Sequence, residues 1–91
     1  MTFLRVVDID GDEHYVNANN IVSIDYGQVP TAATRAKIEA ALTPKDRAYA
    51  LANGETVYGT VFYLNSGLTF MMKGKFDIKK ITEAGVVEAN A

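Results

Sequence analysis

Late in the chain, Lys73, Lys75, Lys79 and Lys80 lie within eight residues, with Asp77 as the one acid among them. Near Tyr63 and Phe76 they could form a patch for a small anion or a single nucleic-acid strand, because aromatic faces stack bases and lysines hold phosphate. The competing reading is a solvated lysine row that protects a strand edge from unwanted pairing. Early in the chain, Asp8, Asp10, Asp12 and Glu13 surround Gly11 and suggest a calcium loop. An EF-hand loop needs glycine sixth and glutamate twelfth. Counted from Asp8, glycine is fourth and the twelfth residue is Asn19, so the stretch reads as a hairpin turn with solvated carboxylates. His14 is the single histidine. It could act as a base, but no strained nucleophile turn surrounds Ser23, Ser66 or any threonine. It reads as a surface strand residue. No catalytic residue, metal ligand or cofactor is expected, and the chain is not expected to be an enzyme.

These side chains must be positioned by a hairpin that spans Glu55 to Phe76 (ETVYGTVFYLNSGLTFMMKGKF). Two runs rich in β-branched and aromatic residues, Thr56 to Leu64 and Leu68 to Phe76, flank Asn65-Ser66-Gly67. A two-residue turn would force Ser66 to positive φ. A three-residue loop gives that conformation to Gly67 instead. Leu64 then faces Leu68, Phe62 faces Phe70 and Thr60 faces Met72. The even-numbered face, extended by Tyr58 and Phe76, is nearly all apolar and reads as core.

The odd-numbered face carries Val57, Val61, Tyr63 and Met71, then Thr69, Lys73 and Lys75. A solvated sheet face should alternate to polar residues. This one does so only at its lysine end. A cover is expected over Val57, Val61, Tyr63 and Met71: the chain's own helices, a second copy, or a ligand.

The remaining elements follow in order. Thr2 to Ile9 reads as a strand, Asp10-Gly11 as a tight hairpin turn, and Glu13 to Asn17 as the return. Asn17 to Asn20 breaks the sheet as a turn or bulge. A third strand, Ile21 to Tyr26, places Val22, Ile24 and Tyr26 on one face. Two short helices follow. The first covers 31–42 with a stripe of Thr34, Ile38, Ala41 and Leu42. The second is capped by Thr43 and started by Pro44, with Ala48, Leu51 and Ala52 flanked by Tyr49, and it stops at Gly54. Asp77 caps a final short helix with Ile78 and Ile81. Val86-Val87 offers a last edge strand, and the final four residues are expected to fray.

The fold class is therefore α+β, in one domain. It is a twisted antiparallel sheet of about five strands, curled toward a small, partly open barrel and interrupted by an αα-hairpin over about 31–53. Its parts are N-terminal strands (1–27), a helical insert (28–54), the central hairpin (55–76) and a short helix with a tail (77–91).

Composition narrows the function. Of 91 residues, 11 are acidic and 9 basic, a net charge of −2 that argues against broad duplex DNA binding. There is no cysteine, which excludes disulfides and thiolate metal sites. No run approaches the roughly 20 apolar residues of a membrane span, so a cytoplasmic location is expected. Acids concentrate before residue 26 and lysines between 73 and 80. Complementary ends of this kind can steer self-association.

Gly11 to Ile24 (GDEHYVNANNIVSI), Thr60 to Lys73 (TVFYLNSGLTFMMK) and Phe76 to Ile81 resemble the small bacterial FlbD-like family. The Asn17 and Ile21/Ile24 spacing matches. The Asn65-Ser66-Gly67 turn has one residue more, and Gly27 to Tyr58 has no counterpart. The resemblance covers less than half the chain and implies a compact β-rich domain with a flagellar regulatory role. No functional residue is carried over.

The resulting expectation is a small, non-enzymatic homo-oligomer that binds and modulates another macromolecule, of a size that suits a bacterial or phage accessory or inhibitor protein. The alternatives are a binder of a small anionic ligand such as a nucleotide, held at Lys73/Lys75 or between protomers, and a single-stranded nucleic-acid module.

Overall fold

The computed structural model describes residues 1–90. The chain is α+β. Its strands are β1 (Thr2–Val7), β2 (Glu13–Asn17), β3 (Ile21–Pro30), β4 (Thr56–Leu64), β5 (Thr69–Lys73) and β6 (Gly85–Glu88). Its helices are α1 (Ala32–Ala40) and α2 (Pro44–Asn53), and short 3-10 turns cover Ala18–Asn20 and Ile78–Thr82. Contacts divide it into two units: residues 1–27 together with those from 58 onward, and Gln28–Val57.

The expected single sheet of about five strands is instead two three-stranded sheets, ordered β2-β1-β6 and β3-β4-β5, and no barrel closes. The sixth strand is β6, expected as a last edge strand, which pairs with β1 in parallel, Leu4 beside Val87. A four-residue strand carries too little pattern to reveal its partner or direction. Of the final four residues, expected to fray, Ala91 lies outside the described residues, and the others are tied to β1. The Ala89 N–H donates to Arg5 O at 2.9 Å, and the Asn90 amide accepts from the Val7 N–H (2.8 Å) and donates to its carbonyl (2.9 Å).

In the larger unit, inward-facing Leu4, Val6 and Val16 pack with Phe62, Met72, Phe76, Val87 and Ala89. The β4–β5 register pairs Phe62 with Phe70 and Thr60 with Met72, as the turn chemistry requires. Gly67 takes φ 87° in the loop, and its N–H donates to Leu64 O at 3.0 Å. The even face is buried at Thr60, Phe62, Met72 and Phe76, with Leu64 and Phe70 packed against the core; Tyr58 and Leu68 are exposed. Thr60 closes the Tyr58 end, because its hydroxyl donates to Gly74 O (2.8 Å) and accepts from the Phe76 N–H (3.0 Å).

The β1–β2 connection is longer than the expected two-residue turn, since Val7 pairs with Glu13 across a loop of residues 8–12. Asp8 explains the difference. Its Oδ1 accepts from the N–H groups of Asp10 (3.0 Å) and Asp12 (2.9 Å), a turn built by the side chain that competes with the two-residue solution.

Strand β3 runs on to Pro30 and departs from simple alternation. Ile21 and Ile24, three apart, both pack against the core. Asn20 O accepts from the Asn65 N–H at 2.9 Å, which sets Val22 opposite Tyr63, yet Tyr26 stacks on Tyr58 of the core-facing set. One extra residue, a bulge at Val22-Ser23, reconciles these facts.

In the second unit, Thr31 caps α1 through the Thr34 N–H, and Thr43 caps α2 through the Asp46 N–H. The Thr34 hydroxyl is buried and donates to Glu55 O at 2.8 Å. Gly54 follows α2 but has φ −79°, so it is not the left-handed stop the sequence suggests. Its role is steric: a Cβ there would lie 2.2 Å from Thr34 Cγ2 and 2.7 Å from Ala50 O. The α2 stripe is also corrected, because Ala48, Leu51 and Ala52 are exposed and Ala50 is half-buried. Within α1, Thr34 is buried and Ile38 half-buried, but Leu42 just beyond it is 92% exposed.

Candidate functional site

Strand alternation places the odd residues of β4 and β5 on the face of their sheet turned away from the core. Val61 lies beside Met71, Tyr63 beside Thr69, and Gly59 beside Lys73. Val61 and Met71 are half-buried and Tyr63 is 37% exposed; none of the three belongs to the core cluster. The β3 bulge adds Val22, 68% exposed, opposite Tyr63. After the bulge Asp25 lies between Ile24, which packs against the core, and Tyr26, which stacks on Tyr58, so alternation turns it to the outer face. The outer face thus carries Val22, Tyr63, Val61 and Met71, with Asp25 on the β3 side and Lys73 on the β5 side. Val57 belongs to the helical unit and is half-buried there.

Sequence reasoning set Val22 on the same face as Ile24 and Tyr26. No residue type marks the bulge, so only the core contacts of Ile21 and Ile24 reveal it. The β5 edge is partly closed, since the Ile9 N–H donates to Met71 O at 2.8 Å.

The four lysines do different things. Lys73 stands on the outer face. Lys75 places its ammonium 5.6 Å from the centre of the Tyr26 ring. Lys80 donates to Glu88 O at 2.7 Å and is half-buried. Lys79 is exposed in the last 3-10 turn, where its N–H is capped by Asp77. Phe76 is buried against Phe62, edge to face at 5.1 Å, and offers no stacking surface.

The acidic end is engaged within the chain. His14 Nε2 meets Asp8 Oδ2 at 2.7 Å, and its ring stacks on Phe70 at 4.2 Å, so it is half-buried rather than a plain surface residue. For the Asp8 carboxyl, burial is the largest single influence and pushes upward. The hydrogen bonds from His14 and from the Asp12 and Asp10 amides together outweigh it and hold the group below its ordinary 3.8. Among the described residues no group of three His, Cys, Asp or Glu side chains could hold a metal ion. Across the outer side of the other sheet, Arg5 bridges Glu13 and Glu88, each at 2.7 Å. Hydrogen bonding to Glu13 and then Glu88 raises the Arg5 guanidinium, and Arg5, followed by Tyr15, lowers Glu13.

Among the described residues no helix is long and apolar enough to cross a membrane. No protein-family model, curated protein or solved structure matches the chain.

Proposed function

We propose that the protein is a small, non-enzymatic interaction protein that pairs with a second copy of itself through the outer face of β3, β4 and β5. The observation that carries this reading is the run of Val22, Tyr63, Val61 and Met71 on a sheet face that the core does not use. Two such faces stack about 10 Å apart with nearly aligned strands. A twofold axis along the strands lays the β3 border of one copy over the β5 border of its partner. Asp25 then approaches Lys73, and opposite charges meet at both borders. Three short strands make a small interface, at the low end of about 1,200 Å² in total, so the dimer should dissociate on dilution.

Pairing of this kind would serve the binding and modulation of another macromolecule, as an accessory or inhibitor protein does. The exposed Tyr49 and Leu51 of the helical unit support that part of the reading. Sedimentation over a range of concentrations tests the pairing. The native chain should shift toward dimer as concentration rises. Met71→Glu should remain monomeric with unchanged circular dichroism. A native chain that stays monomeric throughout rejects the proposal.

A further inference from the structure

We propose that Tyr26, Tyr58 and Lys75 form a stacking site for a base that carries a phosphate, either a free mononucleotide or one residue of a single strand. The two tyrosine rings lie 5.9 Å apart and 25° from parallel. They are 50% and 56% exposed, although Tyr58 sits two residues from Thr60, which is 1% exposed. The core ends at the Thr60 hydroxyl, and the tyrosine pair stands beyond it as a ready-made aromatic platform.

The backbone brings a cation to that platform. Gly74, at φ 85°, turns the chain after β5, and its N–H donates to Tyr58 O at 3.0 Å. The turn carries Lys75 away from the outer face and sets its ammonium over the Tyr26 ring. An open groove of about 370 Å³, lined by Lys75, Phe76, Asp77 and Ile78, adjoins the same lysine. That volume is at the small end of ligand sites.

Each part of a nucleotide has a counterpart here. Any base has a π face that can extend a tyrosine stack, and a lysine beside it neutralises one phosphate. The Asp77 carboxylate can accept from a ribose hydroxyl or an exocyclic amine, and it disfavours a polyphosphate. The site therefore suits a base with a single phosphate. It makes no use of the outer sheet face and stands whether or not the chain dimerises.

Isothermal titration calorimetry with AMP and with a single-stranded deoxyadenylate hexamer tests it, alongside a glutamate-rich peptide of equal charge. Saturable binding of AMP points to a free nucleotide, and binding of the hexamer alone to a strand; both support the site. Tyr58→Leu should weaken binding at least tenfold. Lys75→Gln should weaken it several-fold and lessen the salt slope by about 0.7 for the hexamer. Both positions are exposed, and proton NMR of each variant checks that the fold is kept. Tyr26 and Tyr58 ring protons should shift upfield when ligand stacks. No binding of either nucleotide form, binding of the peptide alone, or affinities unchanged in both variants overturns the proposal.

Discussion

Leu4, Val6, Phe62 and Met72 are almost wholly hidden in the sheet unit, whereas α2 buries no residue and α1 buries only Thr34. The first unit is stabilised by removing large apolar side chains from water. The second buries Val29 as its one large apolar side chain and adds capped helix ends, a threonine hydroxyl bonded to Glu55 O, and close approach at Gly54. Burial of that kind is extensive and cooperative, while caps and single hydrogen bonds contribute roughly 1 kcal/mol each. The contrast teaches that the two units should resist unfolding unequally. Amide exchange should report it directly, with α1 and α2 opening at lower free energy than β1 and β4. Equal protection across both would break the comparison.

The largest effect should come from the sheet core. Phe62→Ala should cost roughly 3–5 kcal/mol in chemical denaturation. A loss under about 1 kcal/mol would mean that the β4–β5 register does not carry the core. Next comes Gly54→Ala, expected to cost about 1–3 kcal/mol because Thr34 and the Ala50 carbonyl must give way. Its damage should appear as faster exchange in residues 32–53, with β1 unchanged. A smaller loss, about 1 kcal/mol, is expected for Thr34→Val, which removes the hydroxyl donated to Glu55 O.

The smallest effect is a pH dependence in the sheet unit. A carboxyl held below its unfolded value contributes stability that is present above that value and lost as pH falls through the folded one. For Asp8 the loss should begin near pH 3.8 and continue downward. Asp8→Asn should flatten this part of the acid-unfolding curve, and an unchanged curve would show that the His14–Asp8 contact contributes nothing measurable.

The same contrast explains what could be read in the sequence. Helix α2 and strand β4 begin and end where Thr43-Pro44 and the Asn65-Ser66-Gly67 turn place them, because caps and tight turns are local chemistry. The pairing of Thr60 with Met72 followed from where Gly67 had to sit. What could not be read depends on distant partners: the parallel seat of β6 beside β1, the Asp8 side chain that lengthens its own turn, and the bulge that turns Val22 outward. For the outer face, Val61, Tyr63 and Met71 were legible from alternation. The Tyr26–Tyr58–Lys75 group was not, since it depends on a glycine turn that redirects one lysine while Lys73 and Lys80 go elsewhere.

The parallel pairing of β1 with β6 has a consequence for biosynthesis. Strand β1 waits for residues 85–90 before both its flanks are occupied. Until then Leu4 and Val6 lack the Val87 and Ala89 side of their shelter. Pairing over so long a span of chain is slow to close. A chain in which β1 has formed but β6 has not yet docked therefore leaves Leu4 and Val6 open to chaperones or to aggregation.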